Sequence, residues 1–189
     1  MGSVGTSGRL PLSGNAALAS GALVQLALGV EFTLAGLAKL LDPDFPGQLE
    51  QFVAASPAAH GGVLAPLLQG VLLPHASIAA QLATSAELGA GVVLVVSAIE
   101  VARRRLPAPM GSQHGYEQPV AMLSACAALV VAALSASIYI LQGGGLPRIT
   151  GASAFGSPIA IELLLVPIAL GIAWLEFGRF IALRATRAG

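Results

Sequence analysis

Four charged side chains within or at the outer edge of long apolar stretches are candidates for chemistry: Glu31, Lys39, Glu87 and Glu162. A charged residue inside a bilayer costs roughly 3 kcal/mol or more, so it usually faces a partner, a cavity or a ligand path. Helix rise predicts Glu31 about 15 Å and Glu87 about 18 Å below the outer ends of their helices. Lys39 and Glu162 lie within about one turn of the surface. We therefore expect a deep pair of carboxyl groups beneath a shallow Lys39–Glu162 pair.

Two carboxyl groups at close range do not both ionise, so one of Glu31 and Glu87 would hold a proton. That proton could pass to a reduced quinone oxygen or be taken from a quinol. These two residues are the candidate catalytic groups, and Lys39 and Glu162 are the candidate substrate-binding groups. The alternative is structural: Lys39 is an interfacial anchor with a salt bridge to Asp42. Each glutamate would then hydrogen-bond to a backbone carbonyl or to a hydroxyl group, of which three are near in sequence: Thr33, Thr84 and Ser85.

The elements that position these residues are membrane-spanning helices. The chain has 189 residues, of which 56% are hydrophobic and 10% charged, whereas a soluble domain has about 25% charged residues. Nine basic and nine acidic residues cancel, so no long-range charge attracts nucleic acid. A single cysteine, Cys126, excludes an internal disulfide and a redox pair. It lies among Ala and Val, which predicts an inert, packed thiol.

The sequence predicts an all-α membrane protein, a four-helix transmembrane bundle. Each apolar stretch exceeds the roughly 20 residues that a bilayer needs. A flexible tail (1–15) precedes the helical domain (16–183), and a short basic tail (184–189) follows it. The four predicted spans are 16–41, 75–101, 119–141 and 158–183.

The connection between the first two spans, at 42–74, is predicted to be partly helical. Its segment 48–55 has the pattern of a short amphipathic helix, and 61–74 is apolar but too short to cross a bilayer. We expect 61–74 to be interfacial or re-entrant, and an extension of the second span is an equal alternative. His60 and His75 flank this segment, but two histidines without further ligands are weak evidence for a metal. The sequence supports no metal and no haem.

Small residues predict close helix contacts on two of the spans. The first span carries Gly21 and Gly29 on one side. In the third span a small residue recurs every fourth position: Ser124, Ala128, Ala132 and Ala136.

Arginine placement predicts the orientation. Four spans put both termini and the middle loop on one side, and the positive-inside rule places the Arg-rich side in the cytoplasm. We expect a multi-pass protein of a bacterial-type cytoplasmic (inner) membrane with both termini cytoplasmic. The other side would hold Lys39 and Arg148. The cytoplasmic side would hold Arg9, Arg103, Arg104, Arg105, Arg179, Arg184 and Arg187.

Two runs resemble the DoxX/DoxD-like membrane proteins, to which the MauE-like branch is related. They are GVEFTLAGLAKLLDPDF, residues 29–45, and AELGAGVVLVVSAIEVARR, residues 86–104. In that family the first helix ends in a G-x-x-K-hydrophobic-x-D/N-P pattern and the second carries E-L-x-x-G. Gln25 stands near the place where relatives usually carry an arginine. The residues that match are Gly36, Lys39, Asp42, Pro43, Glu87, Leu88 and Gly91.

The resemblance implies a four-helix bundle in a redox membrane setting. DoxD members are small subunits of thiosulfate:quinone oxidoreductase, and MauE-like members accompany redox enzymes or their maturation. We therefore expect a membrane subunit of a quinone-linked, thiosulfate-oxidising system, with quinone as the cofactor. It would be seated in the lipid bilayer beside other membrane redox subunits or copies of itself, without nucleic acid. A second hypothesis is a non-catalytic subunit of a respiratory or photosynthetic complex, packing through the small-residue faces of spans one and three. A third is a small-solute or proton-coupled transporter, which four spans would form by oligomerising.

Overall fold

The computed structural model describes residues 12–103, 117–144 and 160–188, of which 12–18 and 186–188 are described by backbone alone. Within these ranges the chain is helical and has no strand. The helices are α1 (Leu12–Leu41), α2 (Phe45–Ala55), α3 (Pro57–His60), α4 (Ala65–Leu67), α5 (Ala76–Arg103), α6 (Glu117–Leu141) and α7 (Ile161–Ala188).

Four helical elements are long and apolar enough to cross a membrane: Ala19–Leu41, Ala65–Arg103, Glu117–Leu141 and Ile161–Ala185. The prediction of an all-α, four-span membrane protein is therefore confirmed. We call the side that carries the connection between the first two spans the outer side.

Two helices continue into the predicted tails. α1 begins at Leu12, inside the stretch predicted as a flexible tail, because no proline interrupts the chain between Pro11 and Pro43. α7 continues to Ala188, through most of the predicted basic tail. The expectations for Arg9, Arg104, Arg105 and Arg148 fall outside the described residues, as does the side chain of Arg187.

The predicted amphipathic helix is present as α2. Asp42 ends α1 and prepares α2: its Oδ1 accepts a hydrogen bond from the Asp44 backbone N–H (2.9 Å), and its Oδ2 accepts one from Gln48 Nε2 (2.9 Å). Pro46 lies in the first turn of α2, where a missing N–H has no cost. Val53 of α2 is fully buried against the following short helices. This anchors α2 across the outer end of the bundle.

The segment 61–74 is not re-entrant. From Ala65 the helical backbone continues through a π-helical turn (Leu68–Leu72) and a 3₁₀ turn (Leu73–His75) into α5. Pro74 interrupts a regular α-helix because it has no N–H and its ring crowds the preceding turn. Here the π-helical and 3₁₀ turns change the helical pitch around Pro74, which accommodates the missing N–H and the bulk of the ring. The second span is thus extended outward, as the alternative interpretation predicted.

α1 and α5 are in backbone contact through three glycines. A Cβ on Gly36 would lie 2.7 Å from the Leu88 backbone nitrogen, and one on Gly29 would lie 2.8 Å from that of Val95. A Cβ on Gly91 would overlap the Thr33 backbone nitrogen. Small residues are what let helices in a bilayer approach this closely. The two antiparallel helices are therefore held in one register.

The bundle core lies where α1, α5, α6 and α7 meet. Its members are mostly small or branched, and they include Leu28, Phe32, Ala90, Leu94, Ala128, Val131, Ala132, Ala169 and Ile172. Of the small-residue face predicted on span three, Ser124, Ala128 and Ala132 are buried and Ala136 is half-buried. This face is therefore covered by the chain itself and is not a surface for a partner subunit. Cys126 is exposed on the opposite side of α6, so the expectation of a packed thiol was wrong.

The glycine contact generates a test. Gly91→Ala is expected to lower the free energy of unfolding by about 1–3 kcal/mol, because the added methyl group overpacks a backbone contact. Gly89→Ala is the matched control: Gly89 lies two residues away on the same helix, and its Cβ would meet nothing within 4 Å. The measurement is thermal unfolding in mild detergent. Equal melting temperatures for the two variants would show that the close approach of α1 and α5 is not needed.

Candidate functional site

The bundle buries an ion pair between its first two spans. Lys39 Nζ of α1 contacts Glu87 Oε2 of α5, with the side chains 26% and 5% exposed respectively. The pair forms because Gly36, one turn before Lys39, packs against Leu88, the neighbour of Glu87. Both charges are thus neutralised where solvent is scarce, which is the arrangement that makes buried charges tolerable.

This pairing differs from the predicted one in two ways. Lys39 was expected to pair with Glu162 or to bridge Asp42, and instead it pairs with Glu87; the Asp42 carboxylate binds the start of α2. Glu87 was expected to lie deeper than Lys39, yet the two side chains meet. The depth argument assumed that the outer ends of the first two spans are level. They are not, because α5 and the turns before it extend outward past the end of α1.

Beside the ion pair lies a cavity of about 520 Å³, which we call the Lys39 groove. Its wall is mostly apolar, with Phe45, Leu49, Phe52 and Val53 from α2, Leu72, Ala79 and Ala83 from the second span, and Leu134, Ile138 and Leu141 from α6. A volume of this size falls within the range of ligand sites, roughly 300–1,000 Å³, which are typically apolar with a few placed polar groups.

The polar groups of the Lys39 groove are few. Besides Lys39 and Glu87 they are Gln48, Ser137 and Gln142. Gln142 Nε2 donates a hydrogen bond to Glu162 Oε1 (3.1 Å) at the start of α7. Glu162 is therefore connected to the groove through Gln142 and not through Lys39.

Lys39 lines cavities on two sides. A smaller cavity of about 350 Å³ has a mixed lining, in which Phe45, Pro46 and Ala80 are apolar and Asp42, Gln81, Thr84 and Ser85 are polar. Lys39 Nζ lies 5.7 Å from the centre of the Phe45 ring, within the range of a cation–π contact. An ammonium group carries three N–H donors. Contact with Glu87 uses only part of this donor capacity.

A second apolar groove adjoins the first. It has a volume of about 470 Å³ and shares Leu72 and Ala79 with the Lys39 groove. Its other lining residues are Leu67, Val71, His75, Ile78 and Leu82. Together the two grooves offer a polar end at Lys39 and an apolar surface that continues away from it.

Glu31 is not part of this site. It is exposed on the outside of α1, away from the Lys39 groove. The expected pair of Glu31 and Glu87 carboxyl groups is therefore absent from the described structure. Glu31 and Lys39 are about 80° apart around the helix. Lys39 therefore points toward α5, whereas Glu31 points outward.

A buried polar contact in the core links α1 and α6. Gln25, 1% exposed, donates from Nε2 to Ser124 Oγ, which is fully buried. In the sequence, Gln25 was named only because it stands near the position where DoxX/DoxD-like proteins usually carry an arginine. An amide inside an apolar span was itself the signal, because a buried amide needs a hydrogen-bond partner. Ser124 was predicted only as a small packing residue.

Comparisons with protein-family models, with curated proteins and with solved structures found no match to this chain.

The ion pair can be tested by a double-mutant cycle. Lys39→Met is expected to lower the free energy of unfolding by up to about 3 kcal/mol, because it leaves a buried carboxylate unpaired. The double variant Lys39→Met, Glu87→Met should recover much of that loss, because no unpaired charge remains. Unfolding in detergent measures both.

The control is Glu100→Gln, which removes a pair with the more exposed Arg103 (3.0 Å) and should change stability by less than about 1 kcal/mol. Additive effects of the two substitutions at Lys39 and Glu87 would contradict a coupled buried pair.

Proposed function

We propose that this chain is a membrane subunit of a quinone-linked redox system and that the Lys39 groove holds the quinone. The observation that carries the proposal is the juxtaposition of one partly buried, cation-bearing polar end with two adjoining, mostly apolar grooves. A lipid-soluble quinone would match this arrangement: its ring carbonyl oxygens would face the polar end, and its apolar tail would lie along the apolar surface.

The residues fit that chemistry. Lys39 has the donors to bind a carbonyl oxygen, and Glu87 would position the ammonium group by holding it on the α5 side. Ser137 and Gln142 offer further hydrogen bonds from α6 and its end. Phe45 and Phe52 supply apolar, aromatic surface for a ring. The resemblance to DoxX/DoxD-like proteins supports the same assignment.

Quinone reduction takes up two electrons and two protons, and a partner redox subunit would deliver the electrons. Thiosulfate is the donor that the DoxD likeness suggests. Within this chain, Lys39 would stabilise negative charge on the ring oxygen, as oriented N–H donors do in low-dielectric sites. Glu87 would act as a positioning residue, keeping Lys39 Nζ at the groove.

Photolabelling with an azido-quinone in membranes tests binding. Glu87→Gln and Lys39→Met are each expected to weaken labelling about ten-fold, the equivalent of losing one charge-assisted hydrogen bond. Ala83→Phe should also block labelling by filling the groove without changing a polar group. In native membranes, Glu87→Gln should abolish thiosulfate-dependent quinone reduction while the folded protein remains.

Val92→Phe is the control for Ala83→Phe, because Val92 lies on the same helix, is 45% exposed and lines neither groove. Labelling that survives Ala83→Phe would place the quinone elsewhere. Labelling lost equally in both variants would show that the effect of Ala83→Phe does not come from filling the Lys39 groove.

We further propose that the protein lies in a bacterial-type cytoplasmic membrane with both termini in the cytoplasm, so that the Lys39 groove is at the outer side. The excess of arginine at the C-terminal end of α5 and in the last turns of α7 supports this orientation. In a Cys126→Ser background, a membrane-impermeant maleimide should label Gln51→Cys on α2 in intact cells. Ala185→Cys should be labelled only after permeabilisation, and the reverse pattern would invert the topology.

A further inference from the structure

The end of the bundle opposite the outer side carries a separate apolar cavity, which we call the inner groove. It has a volume of about 300 Å³ and lies between the inner half of α1 and the last turns of α5. Every residue that lines it is Ala, Leu, Ile or Val. It shares no lining residue with the Lys39 groove or the second groove. What it binds is therefore independent of the proposed quinone site.

Small side chains create the inner groove, because they leave space between two neighbouring helices. The lining includes four alanines from the two helices: Ala19, Ala22, Ala98 and Ala102. Leu23 and Ile99 also line it and are exposed, so the groove is open toward the surroundings of the bundle. Along these spans the surroundings are lipid. From Ala19 to Leu26 the groove extends about 10 Å along α1, which suits part of an acyl chain.

A cationic side chain lies at the inner end of this groove. Arg103 directly follows Ala102 of the lining and comes one helical turn after Ile99, on the same side of α5. Arg104 and Arg105 are next in the sequence, and Glu100 is the one acidic residue between positions 100 and 105. The inner groove therefore ends beside an excess of positive charge.

Arg103 has hydrogen-bonding capacity that the described part of the chain does not use. Its Nη2 donates to Glu100 Oε1 (3.0 Å), whereas its Nε is buried without a hydrogen-bond partner. A buried donor without an acceptor is unfavourable. Because the side chain as a whole is 39% exposed, it can turn toward an anion at the end of the groove. A guanidinium group binds phosphate through paired N–H donors.

We propose that the inner groove binds an anionic phospholipid, with an acyl chain along the alanines and the phosphate hydrogen-bonded to Arg103. Such a lipid combines the two properties that the site requires, an apolar chain and an anion at the level where the span ends. Basic residues beside clefts between spans recognise anionic headgroups in this way. A zwitterionic headgroup fits less well, because its own cation would lie among the arginines.

Native mass spectrometry of the full chain in mild detergent tests the headgroup preference. Dioleoyl phosphatidylglycerol should bind about five- to ten-fold more tightly than dioleoyl phosphatidylcholine, which has the same acyl chains. Arg103→Gln should remove most of this difference and leave phosphatidylcholine binding unchanged. Arg184→Gln is the matched control, because it removes an exposed arginine at the same end of the bundle that does not line the groove. It should preserve the preference.

A second set of variants tests the acyl-chain site without changing a charge. Ala22→Phe should lower phosphatidylglycerol binding about ten-fold by filling the groove. Val24→Phe is its control, since Val24 lies at nearly the same depth on α1, is 42% exposed and does not line the groove. Ala102→Phe fills the same groove from an exposed position of α5, so it keeps the test valid if Ala22→Phe disturbs the fold. Thermal unfolding of the lipid-free variants reports such a disturbance.

Equal affinity for the two lipids would overturn the proposal, and so would a preference that survives Arg103→Gln. Glycerol phosphate that binds as tightly as the lipid would show a site for free phosphate and not for a phospholipid. A mass of two chains without lipid would assign the inner groove to a second copy. Loss of binding that is equal in Ala22→Phe and Val24→Phe would place the lipid elsewhere.

Discussion

The backbone contact between α1 and α5 determines most of what this structure can do. Helices in a bilayer gain no hydrophobic free energy by associating, so close van der Waals contact has to hold them. Gly29, Gly36 and Gly91 remove the side chains that would keep these two backbones apart. With larger residues the helices would separate by about a side chain, and the contact between Lys39 and Glu87 would be lost. The ion pair is thus a consequence of the glycine register.

The Lys39 groove depends on the same contact. The pair supplies its polar end, and α2 closes one wall because Val53 is buried against the short helices that follow. The second span extends outward through the π-helical turn, and this extension places Leu72 and Ala79 in the lining of the groove next to α2. An apolar site with a single charged end therefore arises at the outer side, although α1 and α5 alone would offer only a buried salt bridge.

The sequence predicted the components of the site better than their arrangement. Gly36, Lys39, Glu87 and Gly91 were singled out by the family resemblance, and the structure gives them a shared physical role. Spacing along one helix could not show which residues of two helices meet, because that requires their rotation and their relative height. Glu31 shows the first limitation, since 80° of rotation separates it from the site. Glu87 shows the second, since unequal helix ends made its calculated depth misleading.

By itself the sequence determined that the chain is an all-α membrane protein with four spans, because a bilayer leaves the backbone no other way to satisfy its hydrogen bonds over long apolar stretches. It also determined where small residues permit close contact. Only the tertiary structure decided that Lys39 meets Glu87, that the small face of α6 is covered by the chain, and that Glu31 faces outward. These outcomes depend on how four helices rotate and slide against one another, and that is set by packing between residues far apart in the sequence.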